Sequence, residues 1–239
     1  MLNNLDLTKI LVLDIETVPQ FSTYNAMPDR WKELWNKKSA LLKKEENQSA
    51  EDIYNRAGIY AEFGKIVCIS CGFFSHNGNA YQFRIKSFFS DNETSLLKDF
   101  CKMIEKYFND ESSLLCAHNG KEFDYPYISR RCLINGISVP AILDLAGKKP
   151  WQVNLLDTLD LWKFGDYKNY TSLDLLAASF DINTPKDDIN GSNVWDVYWN
   201  EKNLERIKIY CEKDVITVAQ LLLKFRGEDL LQDENIVIS

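Results

Sequence analysis

The chain has 239 residues, 45% of them hydrophobic, 13% aromatic and 26% charged, which fits one large globular domain or two small ones. Thirty-five Asp and Glu against twenty-eight Lys and Arg leave a net charge of -7, which excludes a generally basic nucleic-acid coat protein, so any polyanion must be bound locally. Every apolar run is interrupted by charge before it reaches the roughly 18 residues of a membrane helix. The opening MLNNLDLTKILVLDIETV reads as a strand rather than a targeting leader, so the expectation is a soluble, cytoplasmic protein with no membrane partner. Six cysteines, Cys68, Cys71, Cys101, Cys116, Cys132 and Cys211, sit among apolar neighbours and read as reduced core thiols. Cys68 and Cys71 form a lone CxxC on a strand, where positions three apart point to opposite faces, and no second pair or spaced His completes a zinc site.

In chain order, periodicity predicts strands at 10 to 16, 65 to 74 and 81 to 89, then a helix at about 93 to 108. A buried strand follows at 112 to 119, a helix at 124 to 135 and a strand at 153 to 157. A helix at 171 to 179, opened by Thr171 or Ser172, and a long helix at 203 to 225 complete the series. This alternation is an α/β pattern with one mixed sheet. Residues 20 to 62 interrupt it with RWKELWNKKSALLKKEEN, read as a helical insertion, and GEDLLQDENIVIS reads as a short, acidic C-terminal tail, mobile or ordered.

Asp14 and Glu16 are two apart in ILVLDIETV, so on a strand they share one face at its C-terminal end, the place where open α/β sheets bind ligands. Two like charges so close repel unless they are protonated or bridged by a cation, although a lone DxE also describes a solvated strand end. Asp124 falls near the first turn of a helix in LLCAHNGKEFDYPYI, where a helix-initiating Asp is the alternative reading. In the final helix Asp214 lies on the apolar stripe of Ile207, Cys211, Val218, Leu222 and Phe225, so it needs a cation: a metal, or a Lys or Arg in an ordinary ion pair. Tyr210 precedes it by four residues on the same side. Asp157, with Asp160 behind it in NLLDTLDLW, reads as a helix cap or as a residue supporting the acidic set from behind, and His118 as a turn residue or a hydrogen-bonding support beside Asn119; His76 falls in a hairpin loop, SHNGN.

Taken in order, DxE (Asp14, Glu16), NxxxFD (Asn119 to Asp124) and YxxxD (Tyr210, Asp214) closely resemble the DEDDy 3′-5′ exonucleases of the ribonuclease H-like superfamily. EFGKIVCIS at 62 to 70 looks like the second strand of the exonuclease domain of B-family DNA polymerases, and the chain is similar to a stand-alone bacterial family of predicted exonucleases related to that domain. The resemblance implies a single ribonuclease H-like domain over 1 to 239, with a mixed central sheet flanked by helices. It implies two divalent ions, Mg2+ or Mn2+, with Asp14 bridging both, Glu16 and Asp214 completing one, and Asp124 holding the other mainly through water. Two ions about 3.5 to 4 Å apart stabilise the attacking and leaving oxygens of an in-line displacement. Tyr210 would orient the attacking water, and Glu16, Thr17, Asn119 and Phe123 would meet the terminal nucleotide.

The partner so implied is the 3′ end of single-stranded DNA, with RNA as the alternative because no motif reveals whether the groove accepts a 2′-hydroxyl. An inactive nucleic-acid-binding module is the reading from another class. For further grip, Trp31 and Trp35 with Lys37, Lys38, Lys43 and Lys44 offer a stacking and phosphate-contact element, or else an amphipathic helix with its Trp face on the core. Arg130, Arg131, Lys148 and Lys149 are alternative phosphate contacts, and Phe123, Tyr125 and Trp162 are either core or base-stacking aromatics.

Overall fold

A computed structural model of the chain describes residues 2–42, 48–78, 80–166, 168, 170–183 and 189–239. At its centre β1 (Ile10–Pro19) pairs antiparallel with β2 (Gly64–Asn77) and parallel with β4 (Leu114–Ala117). β3 (Ala80–Phe89) and β6 (Ile236–Ile238) extend the sheet beyond β2, and β5 (Leu155–Asp157) extends it beyond β4, in the order β5-β4-β1-β2-β3-β6. Only β2 runs against the others, so the C-terminal ends of β1, β4 and β5 share one edge. This mixed six-stranded sheet with flanking helices is the ribonuclease H-like arrangement.

β1 is buried on both faces, which is why its sequence is a nearly unbroken apolar run. Leu11, Leu13 and Ile15 pack with Leu97 and Phe100 of α2 (Glu93–Tyr107) and Ile128 of α3 (Asp124–Ile134). Ile10 and Val12, on the opposite face, meet Val215, Val218 and Leu222 of α7 (Leu204–Arg226). The stripe predicted on the last helix is therefore the face that docks on the sheet. Asn203 caps its start by accepting from the Arg206 amide, and Gly227, at φ 75°, ends it. Ser172 is the cap of α5 (Leu173–Ser179).

The strands predicted at 112 to 119 and 153 to 157 shrink to four and three residues, because the chain turns away as soon as it passes the sheet edge. Two six-residue helices, α4 (Thr158–Lys163) and α6 (Val194–Trp199), are too short to register as a 3.6-residue period. His76 lies in β2 opposite Tyr81, with the rings stacked at 5.0 Å, rather than in a loop. The acidic tail, whose order the sequence leaves open, carries β6, whose Ile236 and Ile238 pair with Phe83 and Ile85 of β3. All six cysteines are buried and free, and Cys68 and Cys71 join different clusters on opposite faces of β2.

Between β1 and β2 the chain builds a small core of its own. α1 (Asp29–Ala40) buries Trp35 completely, its Nε1 donating to the Ala50 carbonyl at 2.8 Å and its ring meeting Tyr54 and Phe63 edge-on. Trp31 also packs against Phe63. The tryptophans thus face inward rather than toward a nucleic acid, while Lys37 pairs with Glu33 and Lys38 covers the Tyr60 ring. Lys43 and Lys44 lie outside the described residues. Tyr125 is fully buried, and Trp162 packs on Phe180 and Phe225, so neither is a free stacking surface.

Arg131 is not a surface phosphate contact either. It is 4% exposed and forks onto Glu93 of α2, with a further bond to the Ala61 carbonyl at 2.8 Å. The same carboxylate accepts from the Ile66 amide of β2 at 2.7 Å, so one ion pair ties α2, α3 and the sheet together. Removing one partner leaves the other charge buried and unpaired. Arg131→Ala is expected to lower stability by about 3–5 kcal/mol, read from urea denaturation midpoints, and Arg131→Lys, which lacks the planar fork, to recover only part of it.

Candidate active site

The shared edge of β1, β4 and β5 is where the acidic residues gather. β1 presents Asp14 and Glu16 on one face, and the register slips between Glu16 and Thr17, a bulge that re-aims the strand end. The Cys211 thiol of α7 contacts Asp14 Oδ2 at 3.3 Å and the Asp14 carbonyl at 3.4 Å. Burial pushes the Cys211 thiol well above its ordinary range, so it stays protonated and donates to Asp14. Asp14, Glu16 and Cys211 offer ligand atoms within 4.8 Å of one another.

Asp124 opens α3 and accepts from the Ile15 amide at 3.1 Å, which fixes the start of that helix against β1. The turn leading into it holds Asn119 at φ 63° and packs Gly120 so tightly that a side chain there would strike Ala117 at 2.5 Å. Asp157 holds this turn from the end of β5: it accepts from the Asn119 amide at 2.9 Å and the Lys121 amide at 3.0 Å while capping α4 through Leu159. The cap expected at Asp157 is therefore also the clamp on the turn that carries Asn119. Asp160 faces outward to Lys121 and Lys163. From the other face of the sheet, α7 brings Tyr210 and Asp214, which are hydrogen-bonded to each other.

Asp14, Glu16, Asp124, Tyr210 and Asp214 all line one cleft of about 510 Å³, as do Thr17, Asn119 and Phe123. Three structural elements thus converge on a single acidic pocket. Burial, then the charges of Asp214 and Asp124, raise Asp14 well above the usual carboxylate range. Burial and the neighbouring Asp14 do the same to Glu16, which is 7% exposed. Burial pushes Asp124 up to about 7 despite its backbone hydrogen bonds. Burial and the adjacent carboxylates push the Tyr210 hydroxyl upward, so it remains protonated. A set of carboxylate oxygens that resist ionisation together is the donor set of a hard divalent cation, whose charge would relieve that resistance.

His118 also lines the cleft but is anchored at both ring nitrogens, Nδ1 to Thr158 Oγ1 at 2.9 Å and Nε2 to the Thr171 carbonyl at 3.0 Å. Burial lowers its pKa, so it is a neutral strut between the turn and the 170s loop rather than a base. The lining residues not expected from sequence include Arg56, Tyr170 and Trp195. The indole N–H of Trp195 is buried without an acceptor among the described residues. None of them belongs to a recognisable spacing; only the fold brings them to the sheet edge. Arg130, Lys148 and Lys149 are exposed and do not line the cleft.

A family described as a predicted 3′-5′ exonuclease related to the exonuclease domain of PolB matches residues 59–234. The chain belongs to this family. The matched span holds Asn119, Phe123, Asp124, Tyr210 and Asp214; Asp14 and Glu16 precede it and join them through the position of β1 in the sheet. No curated protein matches the chain.

The raised carboxyls make stability depend on pH. For Asp124, whose folded value rises from 3.8 to about 7, the contribution is complete below about 3.8 and is lost as pH rises through 7. Thermal melts of chelator-treated protein are expected to show a lower Tm at pH 8 than at pH 5. Asp124→Asn keeps the acceptor for the Ile15 amide while removing the charge, and should raise the metal-free Tm at pH 8 by about 2–4 °C for each kcal/mol relieved. Manganese should raise the wild-type Tm more at pH 8 than at pH 5.

Proposed function

We propose that this protein is a metal-dependent 3′-5′ exonuclease that hydrolyses nucleoside monophosphates from the 3′ ends of single-stranded DNA, acting as one domain over residues 1 to 239 in the cytoplasm. The observation that carries this reading is the convergence of Asp14, Glu16, Asp124 and Asp214 with Tyr210 on one cleft at the C-terminal edge of the sheet. Membership of a family of predicted 3′-5′ exonucleases supports the reaction class and a nucleic-acid substrate. No described helix is long and apolar enough to cross a membrane.

In this reading Asp14, Glu16, Asp124 and Asp214 hold two divalent ions, Mg2+ or Mn2+. Such ions supply Lewis-acid stabilisation of the oxygens that gain charge in phosphodiester hydrolysis. The chain's own residues do the rest. Tyr210, protonated and bonded to Asp214, orients the attacking water through its hydroxyl. Glu16, beside Thr17 at the bulge near the C-terminal end of β1, meets the terminal 3′-hydroxyl, which restricts attack to a chain end. Asn119, held at φ 63° by the Asp157 clamp, and Phe123, at the start of α3, position the terminal nucleotide. Because Cys211 donates to Asp14, this carboxylate would already be oriented for metal binding.

The test is digestion of matched 5′-labelled single-stranded DNA and RNA with magnesium or manganese. The expected result is a ladder shortening from the 3′ end, abolished by chelator and by Asp14→Ala, with DNA degraded faster than RNA. Tyr210→Phe should lower kcat by about 10²-fold without changing Tm, the loss typical of removing one oriented hydrogen-bonding group from a reaction centre. No cleavage of either polymer by folded protein under any metal condition would leave a binding module instead.

A further inference from the structure

The cleft wall contributed by the segment between β1 and β2 is a short 3-10 turn, Tyr54–Ile59. Among the described residues lining the cleft, Arg56 on this turn is the one cation, set against four carboxylates. It makes no ion pair among the described residues, and its one hydrogen bond there, from Nη1 to the Leu42 carbonyl, is long at 3.3 Å. A guanidinium carries five N–H donors, so among the described residues most of its fork is unspent. A half-buried arginine at an acidic cleft, with no carboxylate partner among the described residues, is poised for an anionic ligand.

The turn is also unusually well braced. Tyr54 and Ala57 are buried in the Trp35 core. Gly58 backs onto β1 so closely that a Cβ there would lie 3.0 Å from the Val18 carbonyl carbon, and its own carbonyl accepts from Tyr127 Oη of α3 at 2.7 Å. Arg56 therefore projects from a fixed platform tied to both elements that carry Asp14, Glu16 and Asp124. It precedes the family match, which begins at residue 59, so the match assigns it nothing.

We propose that Arg56 is the phosphate-binding residue of the cleft, gripping one backbone phosphate of the bound strand through its planar fork and so holding the 3′ end at the carboxylates. The assignment rests on the exonuclease reading and adds to it the residue that grips the strand. A guanidinium matches two phosphate oxygens at once, and a single fixed contact supplies in this acidic protein what a basic surface supplies elsewhere.

The experiment measures binding of a 5′-fluorescein single-stranded DNA by anisotropy with manganese, in the Asp14→Asn background that holds substrate uncleaved, over a range of salt. Adding Arg56→Ala should weaken binding about 10-fold and make the slope of log affinity against log salt shallower by about 0.7, the value for one phosphate contact on a single strand. Lys102→Ala, which removes an exposed charge of α2 away from the cleft, should leave the slope unchanged. In the otherwise wild-type enzyme Arg56→Ala should raise KM about 10-fold with kcat within about threefold, and Arg56→Lys should recover part of the binding. Unchanged affinity and slope in Arg56→Ala with an unchanged Tm would overturn the assignment alone. So would weaker binding with a lowered Tm and an unchanged slope, the mark of a bracing role. Absence of both binding and cleavage by the chain with Arg56 intact would overturn the exonuclease reading, and this proposal with it.

Discussion

Like-charge repulsion at the edge of the sheet is the constraint around which this fold is built. Asp14, Glu16, Asp124 and Asp214 line one cleft, and burial compounds their mutual repulsion, so each of the first three is held above its ordinary pKa. Such a cluster persists only if its members are carried by elements that cannot move apart. The apolar faces do that work: Leu11, Leu13 and Ile15 clamp α2 and α3 on one side of β1, while Ile10 and Val12 clamp α7 on the other. The two cores therefore fix Asp124 on α3 and Asp214 on α7 relative to β1, which carries Asp14 and Glu16 itself.

Three of the four carboxylates are then aimed by separate local devices. The Cys211 thiol addresses Asp14, the Ile15 amide addresses Asp124, and Tyr210 addresses Asp214. Asp124 gains further from lying in the first turn of α3, where free amides and the helix dipole favour negative charge. Asp157 does not itself line the cleft, although its charge helps to raise Asp124. Its two oxygens spend themselves on the Asn119, Lys121 and Leu159 amides, and the resulting turn sets Asn119 and Phe123 beside Asp124. An acidic residue near a metal-type cluster is in this case a backbone clamp, distinguished by what its oxygens already accept.

Much of this was legible in the sequence because the relevant signals are local. The two-residue spacing of Asp14 and Glu16 puts both on one face of a strand, and the four-residue spacing of Tyr210 and Asp214 puts both on one side of a helix, whatever surrounds them. A carboxylate on an otherwise apolar helical stripe is conspicuous for the same reason. The missed features share the opposite property. Arg56 reaches the cleft only because Gly58 packs on Val18 and Tyr127 bonds the Gly58 carbonyl, contacts spanning forty and sixty-nine positions in the chain. Arg131 looked like a surface cation until its partner Glu93, thirty-eight residues away, was seen to share its burial. Strand β6 was overlooked because three residues, Ile236–Ile238, give too little alternation to outweigh the acidic residues before them.

A chain of net charge -7 with an acidic cleft is an improbable partner for a polyanion until its charges are considered where they act. At about 8 Å of Debye length in physiological salt, most of the surplus acid on the outer helices is screened from a strand in the cleft. What the strand meets is the local sum of the carboxylates, any cations they hold, and the guanidinium of Arg56. That sum changes sign only when the carboxylates are neutralised, so a phosphodiester should be repelled by the empty pocket and admitted by the loaded one. Under the proposed function, electrostatics would favour cations binding before the polymer. It also explains why the β1–β2 segment invests a buried tryptophan and a core of its own in holding one short turn. A cation on a loose loop would fold back onto the carboxylates and cancel the charge meant for the ions, whereas one fixed to a braced turn leaves them free.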